Sequence, residues 1–250
     1  MASVRRERLR ACFGDANIEV LLVTNPTNIR YLSGFTGSNG ALLVGSSAAD
    51  DRLATDFRYL AQSASQCPDL EMILDRQCAR ALIAFAGTAS TTRVGFESHS
   101  TTVAAYEGLR SVHDGVELVA IEGLVETLRT VKDDGELAAL QRACAVSDQA
   151  LAQLLPRVTV GMSERAIARM LEGLMLDCGA DAISFETIVA TGPNSAIPHH
   201  DPTGRMVAAG DFLKIDFGAL VDGYHADETR TFVVGAEPEP WQREIYDLVA

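Results

Sequence analysis

The sequence predicts an α/β protein in two parts: an α/β domain over residues 1–122, then a second α/β domain over 123–250 that carries the chemistry. Three observations predict it. Up to residue 121, short apolar runs alternate with helix-length segments, as strands and helices do in a parallel or mixed sheet. The pattern then changes to longer amphipathic helices. Near the end, Asp222-Gly223 stands between two strand-like runs, and Asp-Gly is the strongest short-range hairpin signal because both residues tolerate positive φ.

In the first domain, Arg5–Phe13 suits a surface helix with Leu9 and Phe13 on one face. Val20–Val23 is a buried-strand run ended by Asn25-Pro26, and Thr27–Leu32 is a brief helix. The glycines of 33–40 fit neither a dinucleotide fingerprint nor a P-loop, so that stretch is turn chemistry. Strands follow at Ala41–Val44, Leu53–Thr55, Leu70–Leu74, Arg93–Phe96 and Glu117–Ile121, with helices at Phe57–Gln66, Ala79–Ala86 and Thr102–Arg110.

Helices at Glu122–Thr130 and Asp133–Leu154 follow, with the domain boundary near residues 122–130. Asp133 and Glu136 form a capping box, and Leu137, Leu140, Cys144, Leu151 and Leu154 make the expected buried stripe. Ser163 caps a third helix with Ile167, Met170, Leu171 and Leu174 inward and Gly179 just past its end. Ser184–Ala190 is strand-like, residues 191–195 turn, and the pair His199-His200 lies between Pro198 and Asp201-Pro202, stiffened at both ends. A last amphipathic helix carries Ile245, Leu248 and Val249. With barely three turns and no partner it predicts a chain cut short at its C-terminus.

Composition narrows the function. With 47% hydrophobic and 22% charged residues, 250 residues make a soluble globular protein with room for a large core. A net charge of −13 argues against a nucleic-acid partner. Cys12, Cys67, Cys78, Cys144 and Cys178 are scattered without CxxC spacing, which suits reduced thiols in a cytoplasmic protein and neither a disulfide framework nor a structural zinc site. The basic N-terminus has no apolar stretch behind it, so it is not a signal peptide, and no apolar run approaches the roughly 18 residues of a membrane span.

If Asp222-Gly223 is the turn, Val221 pairs with Tyr224 and Asp216 with Thr229. Asp216, Gly218, Asp227 and Thr229 then share one face. The two carboxylates become diagonal neighbours with Cβ atoms up to roughly 7–8 Å apart. That is within reach of two cations about 3.5–4 Å apart. The same pattern fits a solvated strand face. Thr229, opposite Asp216, is placed either to hydrogen-bond that carboxylate or simply to suit a strand.

Several stretches resemble the pita-bread metallopeptidases, specifically the Xaa-Pro dipeptidases (prolidases) and aminopeptidases P. They are residues 25–35 (Asn-Pro-Thr-Asn-Ile-Arg-Tyr-Leu-Ser-Gly-Phe), 128–133, the run from Phe185 through Gly192-Pro193-Asn194-Ser195 to His199-His200, and Asp216 through Phe232. The spacing is specific, with Asp216 eleven residues before Asp227 and His199 seventeen before Asp216. The resemblance implies a creatinase-type N-terminal domain, a pita-bread domain, and two divalent cations held by two Asp, one His and two Glu. Asp216 and Asp227 match the aspartates, and His199 matches a catalytic histidine that is not a ligand. Mn²⁺ suits the carboxylate-rich set best, with Co²⁺ or Zn²⁺ as alternatives. The remaining ligands are expected beyond residue 250, leaving this chain two of five. Phe185 and His200 are candidate substrate contacts, the substrate a short peptide with proline second, and the assembly a homodimer. A non-catalytic pita-bread binding module and a metal-free creatinase-type amidinohydrolase are the competing expectations. The aspartate pair counts against the second.

Overall fold

The computed structural model describes residues 1–88 and 93–249. They fall into two compact units, Met1–Val131 and Lys132–Ala250.

In the first unit, strands β1 (Val20–Val23), β2 (Gly40–Val44), β3 (Arg52–Thr55), β4 (Glu71–Leu74), β5 (Arg93–Glu97) and β6 (Glu117–Ile121) form one sheet, ordered β4-β3-β2-β1-β5-β6. β2 runs antiparallel to β1 and β3; the other pairings are parallel. Helices α1 (Ala2–Arg10), α2 (Phe13–Ala16), α3 (Pro26–Ser33), α4 (Leu60–Gln66), α5 (Cys78–Thr88), α6 (Val103–Arg110) and α7 (Leu124–Arg129) cover it. All four residues of β1 are buried. Leu21 and Val23 join a core with Leu9, Leu32 and Val125, while Val20 and Leu22 join another with Leu82, Ile83 and Leu109. A strand covered on both faces has to be apolar throughout. Helix α7 belongs to this unit, with Val125 in its core and Glu126 accepting from Asn28 Nδ2 at 2.6 Å.

The first unit is stitched by Glu97, which is only 3% exposed. Its carboxylate accepts from the Thr24 and Asn25 amides at 2.7 and 2.8 Å and from Asn28 Nδ2 at 2.6 Å, securing the end of β1 and the start of α3. Buried N–H groups past a strand's end need such an acceptor.

The second unit holds α8 (Asp134–Leu154), α9 (Glu164–Asp177), β7 (Ala182–Ile183), β8 (Ile188–Thr191), β9 (Phe212–Phe217), β10 (Ala219–Val221), β11 (Tyr224–His225), β12 (Glu228–Val233) and α10 (Pro240–Val249). The strands make two small sheets, β12-β9-β8 and β11-β10-β7. The capping box at Asp133 and Glu136 is present. The expected stripe of α8 is corrected: Leu137 is 48% exposed and Cys144 is exposed, while Ala139, Ala143, Ser147, Ala150, Leu151 and Leu154 are buried. The small residues let α8 approach β10 closely enough for the Ala219 amide to donate to Ser147 Oγ at 3.0 Å. Close backbone approach decides the face here, and the leucine period does not.

The hairpin keeps one register over its whole length. Val221 pairs with Tyr224, Leu220 with His225, Phe217 with Glu228 and Asp216 with Thr229. Asp222 and Gly223 both have positive φ, 52° and 78°, as the tight turn requires. The ladder nevertheless lapses at Gly218, where β9 passes into β10. A Cβ on Gly218 would stand 1.8 Å from the Ala226 carbonyl oxygen, so only glycine fits the crossing of the two backbones.

Candidate functional site

β9 is the central strand of its sheet, between β8 and β12. Asp216 lies at its end, half-buried, with Ile188 on one side and Thr229 on the other. Thr229 donates from Oγ1 to Asp216 Oδ1 at 2.9 Å. Asp227 is exposed beside the lapse in the ladder and has no hydrogen-bond or ion-pair partner among the described residues. Asp216, Asp227, Phe185, His199, His200 and Asp201 line one cavity of about 470 Å³. The structure therefore brings together both aspartates, both histidines and Phe185, with Thr229 touching the cavity through Asp216.

His199 itself is exposed, on a chain held from several sides. After β8 the backbone enters a 3-10 turn over Gly192–Ala196. Gly192 has φ +54°, and a Cβ there would meet Arg205 Nη2 at 2.6 Å and Asp211 Oδ1 at 2.8 Å. Lys214, two residues before Asp216 on the same face of β9, donates from Nζ to the carbonyls of Ile197 and Pro198 at 2.6 and 3.4 Å. His200 is buried, and its Nε2 donates to Glu164 Oε2 at 2.9 Å. It reaches the cavity with that nitrogen already engaged.

Glu164 is the residue that sequence reasoning missed. It opens α9 just after the Ser163 cap, where an acidic residue is unremarkable by helix chemistry. It is 0% exposed and accepts five hydrogen bonds. Oε1 takes the Thr191 amide at 2.8 Å and Asn194 Nδ2 at 2.9 Å, while Oε2 takes His200, the Thr203 amide at 2.9 Å and Thr203 Oγ1 at 2.7 Å. Burial pushes its carboxyl up, but donation from His200, Thr203, Asn194 and the Thr191 amide outweighs burial and holds it at about 2. Arg230 projects to the other side of β12 and pairs with Glu228 at 3.1 Å. Burial and the Asp148 carboxylate push the Glu228 carboxyl up.

A larger, mostly apolar cleft of about 820 Å³ continues along the same sheet face, from Thr229 and Lys214 to Phe212, Trp241 and Tyr246. It is lined by one carboxylate, Asp211, whereas the aspartate pair and both histidines line the smaller cavity. There, one oxygen of Asp216 and both of Asp227 have no protein donor among the described residues, which suits hard divalent cations. Among the described residues no group of three or more His, Cys, Asp or Glu stands close enough to hold an ion. The two aspartates thus fit as part of a donor set.

Residues 138–250 match Metallopeptidase family M24, and residues 5–131 match the Creatinase/Prolidase N-terminal domain. An uncharacterized peptidase of Bacillus subtilis is 38% identical over 252 residues, covering 98% of this chain and 69% of the relative. The chain belongs to Metallopeptidase family M24. An Xaa-Pro dipeptidase of Pyrococcus furiosus is 28% identical over 98% of this chain and 68% of its own length. The solved Xaa-Pro dipeptidase of Bacillus anthracis superposes with a TM-score of 0.93 at 34% identity, covering 100% of this chain and 69% of that one. The chain thus spans about two thirds of the length of these relatives. Membership makes the protein a metallopeptidase with a creatinase-like N-terminal domain and a pita-bread domain, and it implies divalent metal ions. Among the described residues no helix is long and apolar enough to cross a membrane.

Proposed function

We propose that this metallopeptidase is an exopeptidase that hydrolyses the bond preceding proline at the N-terminus of a short peptide. The observation that carries the reading is the single cavity lined by Asp216, Asp227 and His199. Xaa-Pro dipeptidases that align with nearly the whole chain support the Xaa-Pro substrate class.

Asp216 and Asp227 would hold two divalent cations, Mn²⁺ by preference and Co²⁺ or Zn²⁺ otherwise, together with ligands outside this set. Such cations supply Lewis acidity, lowering the pKa of a water and polarising the peptide carbonyl. Thr229 keeps Asp216 oriented by its hydrogen bond. His199, exposed at the cavity rim, donates to the substrate and to the oxygen that gains negative charge as the carbonyl becomes tetrahedral. Phe185 shapes the wall against the substrate side chain, and His200 backs it with one nitrogen fixed by Glu164. The reading extends to a homodimer and, on the five free cysteines, to the cytoplasm.

The test uses the protein as its gene encodes it. Xaa-Pro dipeptides should be hydrolysed in a Mn²⁺-stimulated reaction, and Asp216→Ala should lower turnover by about 100- to 1,000-fold, the scale of a lost electrostatic group. Undiminished turnover in that variant would rule out this site.

A further inference from the structure

We infer that Glu164 is a positioning residue: its buried carboxylate closes the loop on both sides of His199 and so presents that imidazole to the cavity. The inference rests on the peptidase reading above for what His199 does, but the clamp itself is visible without it.

The five donors to Glu164 are not scattered. Thr191 and Asn194 lie before His199 in the chain, and His200 and Thr203 lie after it. One carboxylate therefore gathers both ends of a thirteen-residue loop, 191–203. Lys214 fixes the middle from the other direction through the carbonyls of Ile197 and Pro198. Pro198 and Pro202 restrict the backbone on either side of the histidines. Against this restraint, the His199 side chain is exposed and has no hydrogen-bond or ion-pair partner among the described residues. A fixed backbone sets where the imidazole starts from and limits where it can reach, while its nitrogens stay available for a ligand.

The chemistry of the anchor favours positioning over simple filling. A buried carboxylate is costly to desolvate, and an apolar residue would fill the space without that cost. What an apolar residue cannot do is fix five donors in direction as well as distance. Glutamine is a poor substitute as well, because its NH₂ group would face N–H and O–H donors on one of the two sides.

The experiment compares Glu164→Gln, Thr203→Val and Thr203→Ser with wild type in the protein as its gene encodes it. Two readouts are taken: steady-state kinetics on an Xaa-Pro dipeptide with Mn²⁺, and amide hydrogen exchange without substrate. In folded Glu164→Gln, kcat should fall about 100-fold, the cost of a displacement on the order of 1 Å, with KM changed less than about threefold. Exchange at Thr191 and Thr203 should quicken at least about tenfold, while β1 and β5 keep their protection. Thr203→Val should move both readouts in the same direction by less, and Thr203→Ser, which keeps the donor, should restore them. The valine and serine pair decides the matter if Glu164→Gln does not fold. The inference is overturned if exchange at 191 and 203 does not change, if exchange quickens while kcat holds, or if serine is as impaired as valine. Wild-type protein that hydrolyses no Xaa-Pro peptide overturns the peptidase reading alone, since the exchange arm needs no substrate.

Discussion

Each unit contains a buried glutamate that does the same local job. Glu97 in the first takes the amides of Thr24 and Asn25 just past β1 and the side chain of Asn28. Glu164 in the second takes the amide of Thr191 at the end of β8 and the side chain of Asn194. They differ in where the tied chain goes next. Asn28 leads into a closed network, donating to Glu126 and accepting from Arg129 Nη1 at 2.9 Å, all within the first unit. The chain tied by Glu164 leads to His199, exposed beside two aspartates whose oxygens are largely unspent. The same device ends in a closed network in one place and in an exposed imidazole lining a cavity in the other. What separates them is the state of the neighbouring lone pairs.

That contrast breaks if Glu97 matters to turnover. Glu97→Ala leaves the Thr24 and Asn25 amides without their acceptor and takes one of two acceptors from the buried Asn28 side chain, and should destabilise the first unit by about 3 kcal/mol. In the fraction that remains folded, kcat on an Xaa-Pro dipeptide should stay within about twofold of wild type. Thermal melting read beside turnover checks it; a selective loss of kcat would make the first hub as functional as the second.

Acid titration sharpens the second hub. The folded Glu164 carboxyl, at about 2, lies below the ordinary 4.5, so its contribution is full above 4.5 and disappears as pH falls through about 2. The difference corresponds to about 3 kcal/mol. Trp241, the single tryptophan, sits in the second unit and reports its unfolding. Between pH 4.5 and 2 the denaturant midpoint followed by Trp241 should fall in wild type and flatten in Glu164→Gln. Equal slopes would mean that the carboxylate contributes nothing to this unit's stability.

How much of this the sequence shows depends on whether a feature is local. The hairpin register, and with it the common face of Asp216, Asp227 and Thr229, follows from one Asp-Gly turn and a period of two. The lapse at Gly218 does not, because it comes from the Ala226 carbonyl crossing over it. The buried face of α8 misleads for a related reason: leucines set the visible period, while Ala143 and Ser147 meet β10. Glu164 is hidden most thoroughly. Its partners lie 27 to 39 residues further along, and nothing in the Ser163-Glu164 pair announces them. His200 was legible as part of the cavity, but its bond to Glu164 was not.

The smallest expected effect tests the contrast within the second unit itself. Among the described residues Glu164 carries five donors and Asp216 one, the Thr229 hydroxyl. Thr229→Val removes that donor, keeps the shape and suits a strand equally well, so stability should move by less than about 0.5 kcal/mol. If Asp216 holds a cation, losing this orienting bond should weaken Mn²⁺ binding by about tenfold, the lower end for a residue supporting a metal ligand. A Mn²⁺ titration of the two proteins reads this directly. Unchanged affinity would reduce Thr229 to a β-branched residue that happens to face a carboxylate. A tenfold loss would show Asp216 to be a carboxylate held in one orientation with its remaining oxygen left for a ligand, which is what distinguishes it from Glu164.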